Sequence, residues 1–150
     1  MKPYFLQLFS VLLCVNAASA EQVKAVDRYH AVDLDAYIES QRPLRENTRT
    51  IIQPRAIRIQ ARLLSKPERR HIEYAYTALS AMRVYPLPVI NHRMFIRSSG
   101  GRAIPVYVTA DAAEKIGSGL QIGEQAQFSG YHIYNYRQGP AIVVEDFARP

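Results

Sequence analysis

The 150-residue chain has no tryptophan and a single cysteine, Cys14. Cys14 sits among the first twenty residues, which read as a removable leader, so the rest of the chain has no thiol. That excludes a disulfide scaffold, a thiol nucleophile, and cysteine-ligated zinc or iron–sulfur centres. Long apolar runs are also absent. The stretch Tyr4 to Val15 falls short of the roughly 18–20 residues that span a bilayer, and Asn16 interrupts it. No P-loop, G-x-S-x-G or H-E-x-x-H pattern occurs. His30, His71, His92 and His132 are too scattered for one metal-binding loop or one helical turn. No catalytic set, metal site or cofactor is therefore read, and the chain leans away from an enzyme.

What is present begins with the leader. Lys2 is the only charge before Glu21. The apolar stretch is followed by Ala18-Ser19-Ala20, small residues suited to cleavage after Ala20. The expectation is an exported protein, periplasmic or secreted, with no stable membrane span once residues 1–20 are removed. The whole chain carries 19 basic and 13 acidic residues, a net charge of +6. Losing Lys2 leaves +5, and the excess is mostly arginine, whose planar fork suits phosphate and carboxylate. Such a surface meets nucleic acid, anionic head groups or an acidic protein.

Residues 21–55 read as an N-terminal helical arm and linker. Val23, Val26, His30, Leu34, Tyr37 and Ile38 fall at helical spacing, with Asp33 as a cap and Pro43 as a stop. Residues 56–150 read as one further domain. Ile57, Ile59, Ala61 and Leu63 alternate with Arg58, Gln60 and Arg62, a strand with one polar face. Ser65 and Glu68 form a capping box that predicts a helix from about Lys66 to Met82, although Ile72, Tyr74 and Tyr76 also alternate as in a strand. Pro86 and Pro88 exclude a central strand. Arg93–Arg97 and Arg102–Thr109 flank Ser98-Ser99-Gly100-Gly101 as a hairpin. Asp111 and Glu114 box a short helix that Gly117 ends. Gln125–Arg137 is a long strand in which Gly130 suggests a bulge, and Pro140–Phe147 is the last.

The segment Ile122-Gly123-Glu124, with Phe128, Gly130 and the run Gly139 to Val144, resembles the fourth and fifth strands of OB-fold proteins. The resemblance covers roughly residues 93–148. It implies a mainly β fold with helices: a five-stranded OB-fold-like barrel carrying an N-terminal helical arm and a helical insertion after its first strand. No one OB-fold family is matched. The fold alone does not set the function.

The most pointed segment is Tyr131 to Arg137, where His132, Tyr134 and Tyr136 share one strand face. Exposed rings beside arginines bind single strands, each stacked base contributing roughly 1–3 kcal/mol. Tyr107, Tyr134, Tyr136, Arg97, Arg102 and Arg137 are the candidate ligand-binding residues. Single-stranded nucleic acid or another polyanion is the expected ligand. The alternative is a periplasmic adaptor of an envelope assembly, docked through the apolar stripe Val23, Val26, Leu34 and Ile38. Glu145-Asp146 point to opposite faces and read as rim charges. Cleavage is directly testable. Protein recovered from an exporting bacterial host should begin at Glu21 by intact mass, and a mass retaining residues 1–20 would refute the leader.

Overall fold

A computed structural model describes residues 28–41, 54–70, 72, 74–81, 83–135 and 139–150. In chain order the elements are β1 (His30–Val32), α1 (Leu34–Ser40), β2 (Arg55–Leu63), β3 (Glu68–Arg69), α2 (Tyr74–Ala81), β4 (Ile90–Arg97), β5 (Ala103–Thr109), α3 (Ala110–Gly119), β6 (Gln125–Asn135) and β7 (Gly139–Ala148). The fold is mainly β. Seven strands form one sheet in the order β1-β2-β6-β7-β5-β4-β3. The expected count was five. The two additional strands are β1, parallel on β2, and β3, antiparallel on β4.

One further pairing matters most. The end of β2 also pairs with the end of β4, through Arg62↔Arg97 and Leu63↔Ile96. Strands β2, β6, β7, β5 and β4 are thereby linked in an unbroken cycle. Ile57, Ile59, Ala61 and Leu63 of β2 are buried as the alternation requires. They join Met94, Ile96, Val106, Val108, Phe128 and Val144 in the main core, which Ala112, Ala113 and Ile116 of α3 complete. A second core lies on the opposite strand face. There Ala75 and Leu79 of α2 cover Tyr131, Ile133 and Val143.

Three local expectations are corrected. The capping box at Ser65 does not start a helix. Ser65 Oγ instead accepts the Phe95 N–H at 3.0 Å, and Glu68–Arg69 pair with β4. An open strand edge recruited this segment, and the helix is confined to Tyr74–Ala81. The cap of α3 is Thr109, whose side chain accepts from Ala112 N, and the helix runs through Gly117 to Gly119. In the arm, His30, placed by its spacing on a helical stripe, lies instead in the strand His30–Val32. Asp33 does cap α1, its Oδ1 accepting the Ala36 N–H at 2.8 Å. Val23, Val26 and Pro43 lie outside the described residues.

No basic residue occupies the last turn of α3. Distant cations serve its carbonyls instead: Lys66 Nζ donates to Gly117 O at 2.8 Å and to Leu120 O. Arg149 donates to Gly119 O at 2.5 Å. Both complement the negative helix end.

Gly130 marks the expected bulge. The β6–β7 register shifts there, Ser129 facing Asp146 and Gly130 facing Val144. Glu145 is the extra residue, and its carboxylate accepts from Arg28 at 3.0 Å and from Tyr29 at 2.7 Å. Asp146 instead pairs with Lys115 at 3.2 Å, so the vicinal acids do part. A Cβ on Gly130 would meet Val143 O at 1.9 Å. Backbone atoms cannot yield there, so Gly130→Ala should cost about 3 kcal/mol, read as a lowered urea midpoint at unchanged m-value.

Candidate functional site

The outward residues of β2 and β4 carry a cationic strip. Arg58, Gln60 and Arg62 alternate with the buried positions of β2. Arg93, Phe95 and Arg97 alternate with Met94 and Ile96 on β4. The closing pairing sets Arg62 and Arg97 directly opposite each other, both exposed. Like charges so placed destabilise a sheet, by roughly 0.2–1 kcal/mol. No acidic residue among the described ones forms an ion pair with either. Beside them lies a groove of about 590 Å³, its lining including Asp33, Gln60, Arg62, Arg97, Ser99 and Gln125. Asp33 is the acidic member, and its Oδ1 is already engaged as the cap of α1. Further along β4, the Arg93 guanidinium lies 5.3 Å from the Phe95 ring centroid. Glu68 is cross-strand from Arg93 and tempers the charge at that end. The strip therefore presents fixed cations, amides and one ring to whatever enters the groove.

The residues expected from sequence do not form one surface. Arg97 lies on this strip. Tyr107 is cross-strand from Arg93, but its half-buried ring packs against the second core. Tyr134 is half-buried on β6 and points to the opposite strand face from Tyr107, the face shared by His132. Its register partner is Pro140. Tyr136 and Arg137 lie outside the described residues. Arg102 is committed within the chain: its guanidinium pairs with Glu39 and lies 3.8 Å from Asp35 Oδ1. Asp35 also accepts from Ser98 Oγ at 2.6 Å, Ser99 Oγ at 3.2 Å and Gly100 N at 2.6 Å. Those bonds, the Ser98 hydroxyl foremost, hold its carboxyl below the usual carboxylate range. The hairpin tip is thus occupied by the chain's own acid.

Arg62 was expected on the same side as Arg58, Arg97 and Arg102 if the strands closed, but it was not among the candidate ligand-binding residues, and Phe95 and Gln125 were not named as candidates. The alternation of β2 was a usable signal for its polar face. The opposition of Arg62 and Arg97 was not readable, because it depends on where the cycle closes.

His132 is only 2% exposed. It contacts the Tyr37 ring edge-to-face at 4.8 Å, and its Nε2 has no hydrogen-bond partner among the described residues. Tyr37 and Gln41 also line a cleft of about 420 Å³. It lies beside the splayed starts of β5 and β7, which pair only at Tyr107↔Val143 and Val108↔Val144. Burial first, and the nearby Arg55 charge second, push the His132 imidazole down to about 4.

No family model matches the chain, and no curated protein does. The crystal structure of the SSB domain of a protein from Synechococcus sp. is similar over 68% of this chain and 100% of that one. Identity is 10% and the TM-score 0.41, so the likeness bears on neither fold nor function.

The neutral imidazole of His132 yields a pH prediction. Because its folded pKa lies below the unfolded value, its contribution is complete above about pH 6.5 and is lost as pH falls towards about 4. The shift corresponds to about 3 kcal/mol. His132→Phe should flatten the acid limb of stability measured by urea titration between these pH values. An unchanged acid limb would show that His132 is not its source.

Proposed function

We propose that this chain is an exported, non-enzymatic binding protein whose groove beside β2 and β4 holds a polyanion, single-stranded nucleic acid foremost. One observation carries this reading: Arg62 and Arg97 are held face to face at the groove, exposed and without an acidic partner among the described residues. A phosphate between them relieves their repulsion and accepts from both forks. Phe95, exposed between Arg93 and Arg97 on β4, offers a ring on which a base stacks. An extended single strand suits the strip, since a strand repeats same-face positions every two residues, about 6.8 Å. Gln60 and Gln125 add neutral donors for sugar or base edges.

The architecture belongs to the same proposal. The cycle β2-β4-β5-β7-β6, with β5 and β7 parallel and α3 following the third of these strands in chain order, supports the reading of an OB-fold-like barrel. In such barrels the face of the second and third strands binds oligonucleotides; on this reading β4 is the second, and it borders the groove. Export, with cleavage after Ala20, rests on the leader sequence. The adaptor alternative loses support in residues 28–41, where Leu34 is buried and Ile38 packs against the chain's own core.

The test is a salt titration of the protein's binding to a labelled single-stranded oligonucleotide, with duplex DNA and heparin as competitors. Arg62→Ala/Arg97→Ala should lower affinity and reduce the slope of log K against log salt by about 1.4, two phosphate contacts' worth. Tyr134→Ala, on the other strand face, serves as the comparison and should leave that slope in place. Equal affinity for heparin would reduce the ligand to polyanions in general. Unchanged binding by the double variant would refute the groove.

A further inference from the structure

A second surface lies outside the groove. Tyr85, Leu87 and Val89 are 70%, 37% and 58% exposed, every second residue of the segment leading into β4. Pro86 and Pro88 separate them. Both ends of this ridge are held. Val84 N donates to Leu79 O at 3.2 Å on one side. On the other, Ala110 N donates to Val89 O at 2.7 Å, and buried Ile90 donates to Tyr76 Oη at 2.9 Å. The apolar ridge is therefore a built feature whose side chains the described residues leave largely or partly exposed.

Arginines lie near both of its ends. Arg83, exposed at the end of α2 with φ 58°, precedes Tyr85 by two residues. Arg69 pairs with His92, and Arg70 N donates to Asn91 O at 2.8 Å, which places both arginines beside the same end of β4. All three arginines are exposed, and none has an ion-pair partner among the described residues. Among the described residues, Glu68, exposed and next to Arg69, is a nearby acid.

We infer that this ridge docks on an anionic lipid bilayer, with Tyr85, Leu87 and Val89 entering the head-group boundary and Arg69, Arg70 and Arg83 pairing with lipid phosphates. Apolar side chains flanked by arginines match that boundary, where lipid phosphates lie above acyl chains. The two prolines carry no N–H, so the ridge brings fewer unpaired donors into a region poor in water. An acidic protein groove fits less well. An added strand is read through its N–H groups, two of which are missing here. A polyproline reader takes positions three apart, whereas these fall two apart.

The native chain has no tryptophan, so Leu87→Trp introduces a single emission probe at the ridge crest. In the full chain, its emission should shift to the blue with phosphatidylglycerol-containing vesicles and not with phosphatidylcholine alone. Arg69→Ala/Arg70→Ala should weaken vesicle binding about fivefold per arginine, and Leu87→Ser with Val89→Ser about tenfold, at unchanged melting temperature. Arg62→Ala/Arg97→Ala should bind vesicles as the parent does, which separates this surface from the groove. No shift at position 87, an equal shift on both lipids, or capture by an acidic protein without vesicle binding would overturn the inference.

Discussion

The structure depends on one short ladder, the two-residue pairing that joins the end of β2 to the end of β4. Strand β2 already spends eight residues on β6. Its last two residues reach the other neighbour and turn a sheet into a cycle. Closure gives the alternating residues of five strands a common interior, in which Leu63, Ile96, Val106 and Phe128 are almost wholly buried. It also satisfies backbone groups that an open edge would leave exposed. Without that ladder Leu63 and Ile96 lose their enclosure and β3 loses the fixed edge on which it lies.

The same ladder creates the charge problem that distinguishes this protein. Leu63↔Ile96 and Arg62↔Arg97 are adjacent rungs. Alternation sends the first pair into the core and the second into solvent, so a well-packed closure necessarily sets two guanidinium groups opposite each other. Several other cations meet counter-charges within the chain. Arg102 meets Glu39, Lys115 meets Asp146, and Arg149 meets Glu124. Arg62 and Arg97 meet none among the described residues, and what sets them apart from other such arginines is that they stand opposite each other at a groove. The contrast with the hairpin tip is instructive. There Asp35 collects two hydroxyls, an N–H and a guanidinium, so α1 supplies that tip with an acid from within the chain.

Much of the fold was legible in residue order. The two-residue alternation in β2, the glycine-containing turn before β5 and the bulge at Gly130 each express a local rule, and each occurs where the rule places it. Asp33 capping α1 is equally local. The failures share a cause. The Ser65–Glu68 box is a sound helix start in isolation, but the edge of β4 offers unpaired groups to the same segment, and the tertiary hydrogen bonds prevail. Thr109 displaces Asp111 as a cap because β5 ends one residue before the helix begins. Tyr107 and Tyr134 read as neighbours by composition and lie on opposite strand faces, since face is set by register and by the bulge between them.

Residue order by itself determined which positions of each strand are apolar, where the chain turns, and that the charge is dominated by arginine, because these follow from side-chain chemistry and spacing within a few residues. Tertiary structure alone decided which arginines stand unpaired, which tyrosines are core and which apolar residues remain in solvent. Those outcomes depend on contacts between residues far apart in the chain.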